Sequence, residues 1–478
     1  MSEMLQVRNP RNGEFDYEIE LSSSEQIAAI ALNLRTQQVA WRDSGISTRI
    51  TVMREWQAAL NKHSDAIIAA LSIDTGRTTI AKGEFFGLLG MIDRWCTLAP
   101  SLLEERTRAS VAMPDVTIHE QLQPYPLLGA ISPWNFPLLL SFIDAVPALL
   151  AGTAVIIKPS EVTPRFAAAV TTCIADVPEL ENVLRFISGD GRAGAELIKH
   201  VDVVAFTGSV ATGRKVAVAA AEAFIPVFLE LGGKDPVVLL ENSPLERAAT
   251  AVLRASVSAT GQACQSLERI YVNDKQHDEF VALLSQKASA SELSYPDPDQ
   301  GVTGPLIFER QAEIIQNHLE DAVAKGATIE TGGEIFDHGG GKWIEPTVLV
   351  NVDHSMRVMT EETFGPVMPV MRYTTEAEAL QLANDSQYGL SGAVFAGDDA
   401  AAMHFARQMN VGGVSINDAG MTTMIFEACK SAFNLSGMGP SRMGPSGLTR
   451  FFRQKALYHN HGETLPLESL AEAAPGQT

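Results

Sequence analysis

Cys264 lies in the run Gly261-Gln-Ala-Cys264-Gln-Ser-Leu-Glu-Arg269. A thiolate adds readily to a carbonyl carbon, so a reachable, polarised cysteine is a candidate nucleophile. Gly261 and Ala263 are small and would leave room for a carbonyl beside the sulfur. A second run, Phe228-Leu-Glu-Leu-Gly-Gly-Lys-Asp-Pro236, supplies Glu230. It closes an apolar stretch just before a Gly-Gly turn. A carboxylate in an apolar setting holds its proton more tightly, which suits a general base. Each residue alone also has a plainer reading. A single cysteine is often a small buried hydrophobe, and Glu-Leu-Gly-Gly can be a strand end and its turn.

Three further stretches could hold a dinucleotide. Gly189, Gly191 and Gly194 form a Gly-x-Gly-x-x-Gly run, but no acidic residue ends a strand at the spacing that ribose recognition needs, so it reads as a turn. Phe206-Thr-Gly-Ser209 ends an apolar run and opens a helical one. Free N–H groups at such a helix start favour a pyrophosphate, and a Ser209 cap is the simpler alternative. Lys158-Pro-Ser-Glu161 places a cation and a carboxylate where they could take the two hydroxyls of a ribose, or form only a local ion pair.

The elements that must position these residues follow a two-part pattern. Ser22 to Ser24 can cap a first helix, and amphipathic runs from about Thr48 to Ile73 and from Thr79 to Leu103 predict two more. Val116 to Gln123 alternates as a strand, ended by Pro124 and Pro126. From Leu127 short apolar strands alternate with helices: Leu127–Ile131, Ala154–Ile157, Val183–Ile187, Val203–Phe206 and Val227–Leu231, with helices at Arg165–Ala175 and Gly213–Ala223 between them. A second set follows Gly232-Gly233, with helices at 244–259, 277–288 and 310–325 and strands at 269–272 and 414–416. This predicts an α/β fold with two doubly wound parallel sheets, whose ligands bind beyond strand carboxyl ends. Residues 294–304 read as a surface loop and those from about Gly462 as a fraying tail.

Composition narrows the function classes. A chain of 478 residues with 46% apolar content can build two or three cores. A formal charge of −21 repels nucleic acid and anionic membrane. The cysteines, Cys96, Cys173, Cys264 and Cys429, are too dispersed for a zinc site or a disulfide framework, so no metal and a reducing, cytoplasmic setting are expected. No secretory leader is read in the charged first residues. The apolar run from Phe136 to Gly152 is broken by Asp144 and Pro147 and reads as a buried helix.

Taken in order, these motifs resemble the aldehyde dehydrogenase superfamily. The series is Pro133-Trp-Asn-Phe-Pro137, Lys158-Pro-Ser-Glu161, Phe206-Thr-Gly-Ser209, Glu230-Leu-Gly-Gly-Lys234, Gly261-Gln-Ala-Cys264, Glu362-Thr-Phe-Gly-Pro-Val367 and Tyr388-Gly-Leu390. The resemblance implies a variant Rossmann cofactor domain in residues 1–111 and 125–231, and a catalytic domain in 232–433. It further implies oligomerisation segments at 112–124 and 434–465, with 466–478 a flexible tail. It implies catalytic roles for Cys264, Glu230 and Asn135. Trp134, Gly208 and Ser209 would contact a pyrophosphate, Lys158 and Glu161 an adenosine ribose, and Glu362 with Phe364 the nicotinamide half. NAD is the implied cofactor, favoured because Glu161 would repel a 2′-phosphate, although some members of the family also use NADP. Phe136, Leu140, Ile143 and Phe433 suggest an apolar substrate pocket, with Lys430 read as a solvated surface lysine. The partners implied are a small aldehyde and further copies of the chain, in a homodimer or homotetramer. Glu230 favours water as acyl acceptor over the alternative, coenzyme A, and the three catalytic residues together argue against a non-catalytic NAD-binding protein. Two departures stand out. The family often has a lysine a few residues after the Asn of Pro-Trp-Asn, where this chain reads Ser141-Phe-Ile-Asp144, and if Asp144 holds that place the local charge is reversed; 431–442 replaces the usual Pro-Phe-Gly-Gly run.

Overall fold

The alternating segments from Leu127 onward form two largely parallel sheets in the computed structural model, which describes residues 3–472. The first sheet has the order Gly437–Met438, Val227–Glu230, Val203–Thr207, Leu127–Ile131, Ala154–Lys158, Leu184–Phe186. All of its pairings are parallel except that of the Gly437–Met438 edge strand. The strands Leu127–Ile131 and Ala154–Lys158 are wholly buried, as expected of strands covered on both faces by helices. The chain winds outward in one direction to Leu184–Phe186, then crosses back to Val203–Thr207. The reversal opens a crevice at the carboxyl ends, the usual ligand position in such sheets.

The second sheet has the order Thr328–Thr331, Thr347–Val350, Val367–Tyr373, Leu267–Asn273, Asp235–Leu239, Ser391–Phe395, Gly413–Ile416, antiparallel only at its first edge. The chain passes from sheet to sheet between Glu230 and Asp235, where the Gly232-Gly233 pair was read as a boundary. A third, antiparallel sheet joins Arg106–Ala109, Val116–Pro124 and Phe452–Asn460, and the last of these is solvent-exposed along almost its whole length. No helix among the described residues is long and apolar enough to cross a membrane.

Several expectations need correction. The run from Thr48 to Ile73 is two helices, Gly45–Lys62 and Ser64–Thr75. His63 closes the first with N–H bonds to the Ala59 and Leu60 carbonyls, and its own carbonyl accepts from Ile67 to start the second. The helix placed at Gly213 starts at Val210, because the Ser209 hydroxyl caps it. The hairpin Met4–Arg8 with Phe15–Glu20 was not anticipated, although Phe15, Tyr17 and Ile19 alternate. The 294–304 segment lacks regular structure, yet Ser294, Thr303 and Gly304 are buried, so it is not purely a surface loop. The tail forms a short turn at Leu467–Leu470, and 473–478 lie outside the described residues.

Candidate active site

Every candidate residue of the first sheet stands at a strand's carboxyl end. Asn135 follows Leu127–Ile131, Lys158 ends Ala154–Lys158, Gly208 and Ser209 follow Val203–Thr207, and Glu230 ends Val227–Glu230. The second sheet contributes in the opposite sense. Cys264 precedes the amino end of Leu267–Asn273, and Glu362 and Phe364 precede the amino end of Val367–Tyr373. The carboxyl-end rule therefore locates half of the cleft.

Asn135 is held through its side chain and through its backbone carbonyl. Its Nδ2 donates to the Gln262 carbonyl at 2.9 Å, two residues before Cys264, leaving its second N–H free to donate elsewhere. Its own carbonyl accepts from Arg77 Nη2 at 2.7 Å. The helix Pro137–Ala151 that follows opens with a proline, and the Glu84 carboxylate accepts the N–H groups of Leu138 and Leu139. A carboxyl oxygen at a helix start satisfies donors that have no partner within the helix, and burial raises the Glu84 carboxyl to about 8. Arg77 and Glu84 were not singled out in the sequence, because nothing local marks contacts that span more than fifty residues.

Cys264 is partly exposed. Withdrawal from water pushes its thiol up to about 12, with Glu362, Asp235 and Glu230 adding to the rise and Lys430 opposing it. The room expected beside Gly261 is taken. A Cβ there would lie 2.2 Å from the Gly365 carbonyl carbon, and the glycine φ is +69°, so it serves close backbone packing instead. A thiol raised this far is neutral at pH 7, and its thiolate fraction grows tenfold per pH unit up to the pKa. Iodoacetamide labelling of Cys264, resolved from Cys429 by peptide mass, is therefore expected to accelerate about tenfold per unit from pH 7 to 10. A plateau below pH 9 would contradict this electrostatic setting.

Glu230 does not sit in the apolar setting read from its neighbours. Its side chain is partly exposed, and its Oε1 lies 3.7 Å from Arg442 Nε. Its carbonyl accepts from the Gly208 N–H at 3.2 Å, tying the two strand ends together. The Asp144 carboxylate is buried and balanced by two cations: Arg442 at 2.9 Å and Arg450 both pair with it. Lys430 is likewise not a solvated lysine. It is half-buried, donates to Gln265 Oε1 at 2.7 Å, and burial lowers its pKa while Cys264, Asp235 and Glu230 oppose the drop.

The phosphate and ribose candidates line the same cleft. Ser209 caps the thirteen-residue helix Val210–Glu222 by accepting from Thr212 N. A Cβ at Gly208 would fall 2.5 Å from the Phe206 ring, so the turn requires glycine. Lys158 is 3% exposed and donates to the Pro159 carbonyl and to Glu161 Oε2 at 3.3 Å. The Gly189–Gly194 run is a helix start capped by Asp190, as its reading as a turn implies.

Glu362 Oε1 accepts from Gly233 N at 3.1 Å, and burial beside Glu268 raises its carboxyl to about 8. A Cβ on Gly232 would lie 2.4 Å from that carboxylate. Phe364 has φ +53° and packs edge-on against Trp134 at 5.3 Å. Its unusual backbone is held by Glu268, which accepts the N–H groups of Thr363 and Phe364 while pairing with buried Lys234 at 2.6 Å. Both Glu268 and Lys234 fall in quoted motifs, but their role as a brace is visible only in three dimensions.

Leu140 and Ile143 lie three residues apart in the helix Pro137–Ala151, and Phe136 precedes its first residue with non-helical backbone angles. Ile143, 6% exposed, belongs to the core, whereas Phe433 is 39% exposed on a separate loop where its N–H meets the Gly389 carbonyl.

Comparison with known proteins agrees with this geometry. Residues 1–457 match the profile of the Aldehyde dehydrogenase family. The structure of PutA from Anabaena variabilis, provisionally assigned as an aldehyde dehydrogenase, is 49% identical, with a TM-score of 0.96 over 97% of this chain and 99% of that one. An aldehyde dehydrogenase of Mycobacterium tuberculosis, solved with NAD+, is 30% identical with a TM-score of 0.91, covering 97% of this chain and 96% of that one. The 4,4'-diapolycopene aldehyde oxidase of a Methylomonas species is 37% identical over 80% of this chain and 72% of its own length. This chain belongs to the aldehyde dehydrogenase family and is an aldehyde-oxidising oxidoreductase.

Proposed function

We propose that the protein oxidises an aldehyde to a carboxylic acid with NAD, through a thioester on Cys264. One observation carries the reading: the Asn135 side-chain amide donates to the Gln262 carbonyl, which fixes it beside the short segment that carries Cys264. The Cys264 thiol gives up its proton to solvent, and the sulfur then adds to the aldehyde carbon. The free N–H of Asn135 and the Cys264 backbone N–H would donate to the oxygen that becomes negative. NAD, when bound, supplies the acceptor for the hydride that leaves the tetrahedral carbon. The thioester left behind is then attacked by water, whose proton passes to Glu230 while the sulfur leaves as thiolate.

The residues present fit a dinucleotide. Lys158 with Glu161 would take the adenosine ribose, the first-turn N–H groups after Gly208 and Ser209 the pyrophosphate with Trp134 beside it, and Glu362 with Phe364 the nicotinamide half. Glu161 favours NAD over NADP, since its carboxylate would oppose a 2′-phosphate. Glu230 also favours water over coenzyme A as acyl acceptor. The test is a panel of aliphatic, aromatic and semialdehyde substrates assayed with NAD or NADP, with and without coenzyme A. The expected result is NADH and free acid from at least one aldehyde without coenzyme A. Reduction that depends on coenzyme A, or none with any aldehyde, would overturn the reading.

A further inference from the structure

We propose that Arg442 is the positioning residue for Glu230, holding its carboxylate where it can take the proton of the attacking water. The inference rests on the reading of Glu230 as general base. Arg442 is 8% exposed, and its Nη2 donates to Asp144 Oδ2 at 2.9 Å and to Thr207 Oγ1 at 2.7 Å. The other Asp144 oxygen is taken by Arg450, so the anchoring carboxylate is itself clamped. Thr207 and Glu230 are directly paired across neighbouring strands. The guanidinium is thus fixed on a strand position beside the one that carries the base.

Arg442 Nε is buried and has no hydrogen-bond partner among the described residues, and Glu230 Oε1 lies 3.7 Å from it. A buried charged donor left unpaired is costly and rarely retained without use. A shift of about 1 Å by the carboxylate would bring it to ordinary hydrogen-bond distance. The proposed contact is Nε donating to Oε1, while the Nη2 anchors on Asp144 and Thr207 hold the guanidinium in place. Asp144 acts here as the counter-ion that fixes this cation.

The experiment uses rapid mixing of full-length enzyme with NAD and an accepted aldehyde, following NADH optically and acyl-enzyme by quenched intact mass. In Arg442→Gln, hydride transfer is expected within about twofold of wild type while acyl-enzyme hydrolysis slows about tenfold or more. Arg442→Lys, which keeps the charge, should recover most of that loss. Thr207→Val, which removes only one anchor, should slow hydrolysis about threefold with hydride transfer unchanged, and it decides the matter if Arg442→Gln does not fold. Unchanged hydrolysis in the glutamine variant, parallel loss of both steps in the glutamine and lysine variants, or unchanged hydrolysis in the valine variant would each overturn the inference. Glu230→Gln run alongside separates the two ideas. If it accumulates acyl-enzyme and Arg442→Gln does not, only the positioning role fails. If it turns over normally, the reading of Glu230 fails first.

Discussion

Cys264→Ala should leave a folded protein that binds NAD but produces no NADH from aldehyde, with turnover down by about four orders of magnitude or more. The expectation follows from position as well as residue type. Among the other thiols, Cys96 and Cys173 are buried in the core of the first sheet, and Cys429 is exposed on a loop. None is fixed next to the Asn135 amide as the Gln262–Cys264 backbone is. Without the sulfur no thiohemiacetal forms, and a free aldehyde hydrate held beside the cofactor lacks the covalent orientation that makes hydride departure fast. Alanine fills less space than cysteine and leaves the backbone N–H in place, so dinucleotide binding, measured by fluorescence titration, should stay within about twofold. Intact mass with NAD and aldehyde should show no adduct. Normal turnover in this variant, or loss of turnover only when Cys429 is replaced, would end the covalent proposal.

How far the site could be read without coordinates depended on how local each signal was. Strand ends and helix starts are written in short runs. Lys158, Ser209 and Glu230 were found because each closes or follows an apolar stretch that the structure makes a strand. Cys264 and Asn135 came from motif chemistry, and the structure brings both to one cleft. What stayed hidden were the side chains that hold these in place. Arg442 reaches Asp144 across 298 positions, and Glu268 reaches Thr363 across 95. Periodicity carries no information at such separations. The setting of Glu230 was misjudged for the same reason, since its apolar neighbours in sequence are not its neighbours in space: a guanidinium from the C-terminal region lies beside it. Lys430 was taken for a surface residue because nothing in its Met- and Thr-rich loop showed that it folds inward onto Gln265. The break at His63 escaped because apolar spacing continues across it, while the His63 backbone, at φ −108° and ψ 17°, leaves the helical range.

Glu230→Gln should separate the two halves of the reaction. Glutamine keeps the shape of glutamate, so the pairing of Val227–Glu230 with its neighbours and the bond from Gly208 N–H to the residue 230 carbonyl should survive. Sulfur attack and hydride departure do not need this carboxylate once the thiolate has formed, so about one NADH per active site should still appear rapidly. Hydrolysis does need it. Water attacking a thioester must lose a proton, and an amide cannot take it, so steady turnover should fall by about two to four orders of magnitude. The trapped species carries the acyl group as a thioester on Cys264, heavier than the free enzyme by the mass of the aldehyde less two hydrogens. Turnover within about threefold of wild type would remove Glu230 from the mechanism. Adding coenzyme A to the trapped enzyme tests the acceptor separately. Slow release by the thiol is expected, whereas release at the wild-type rate would mean that the acyl group is normally handed to a thiol, and the carboxylate would then need another role.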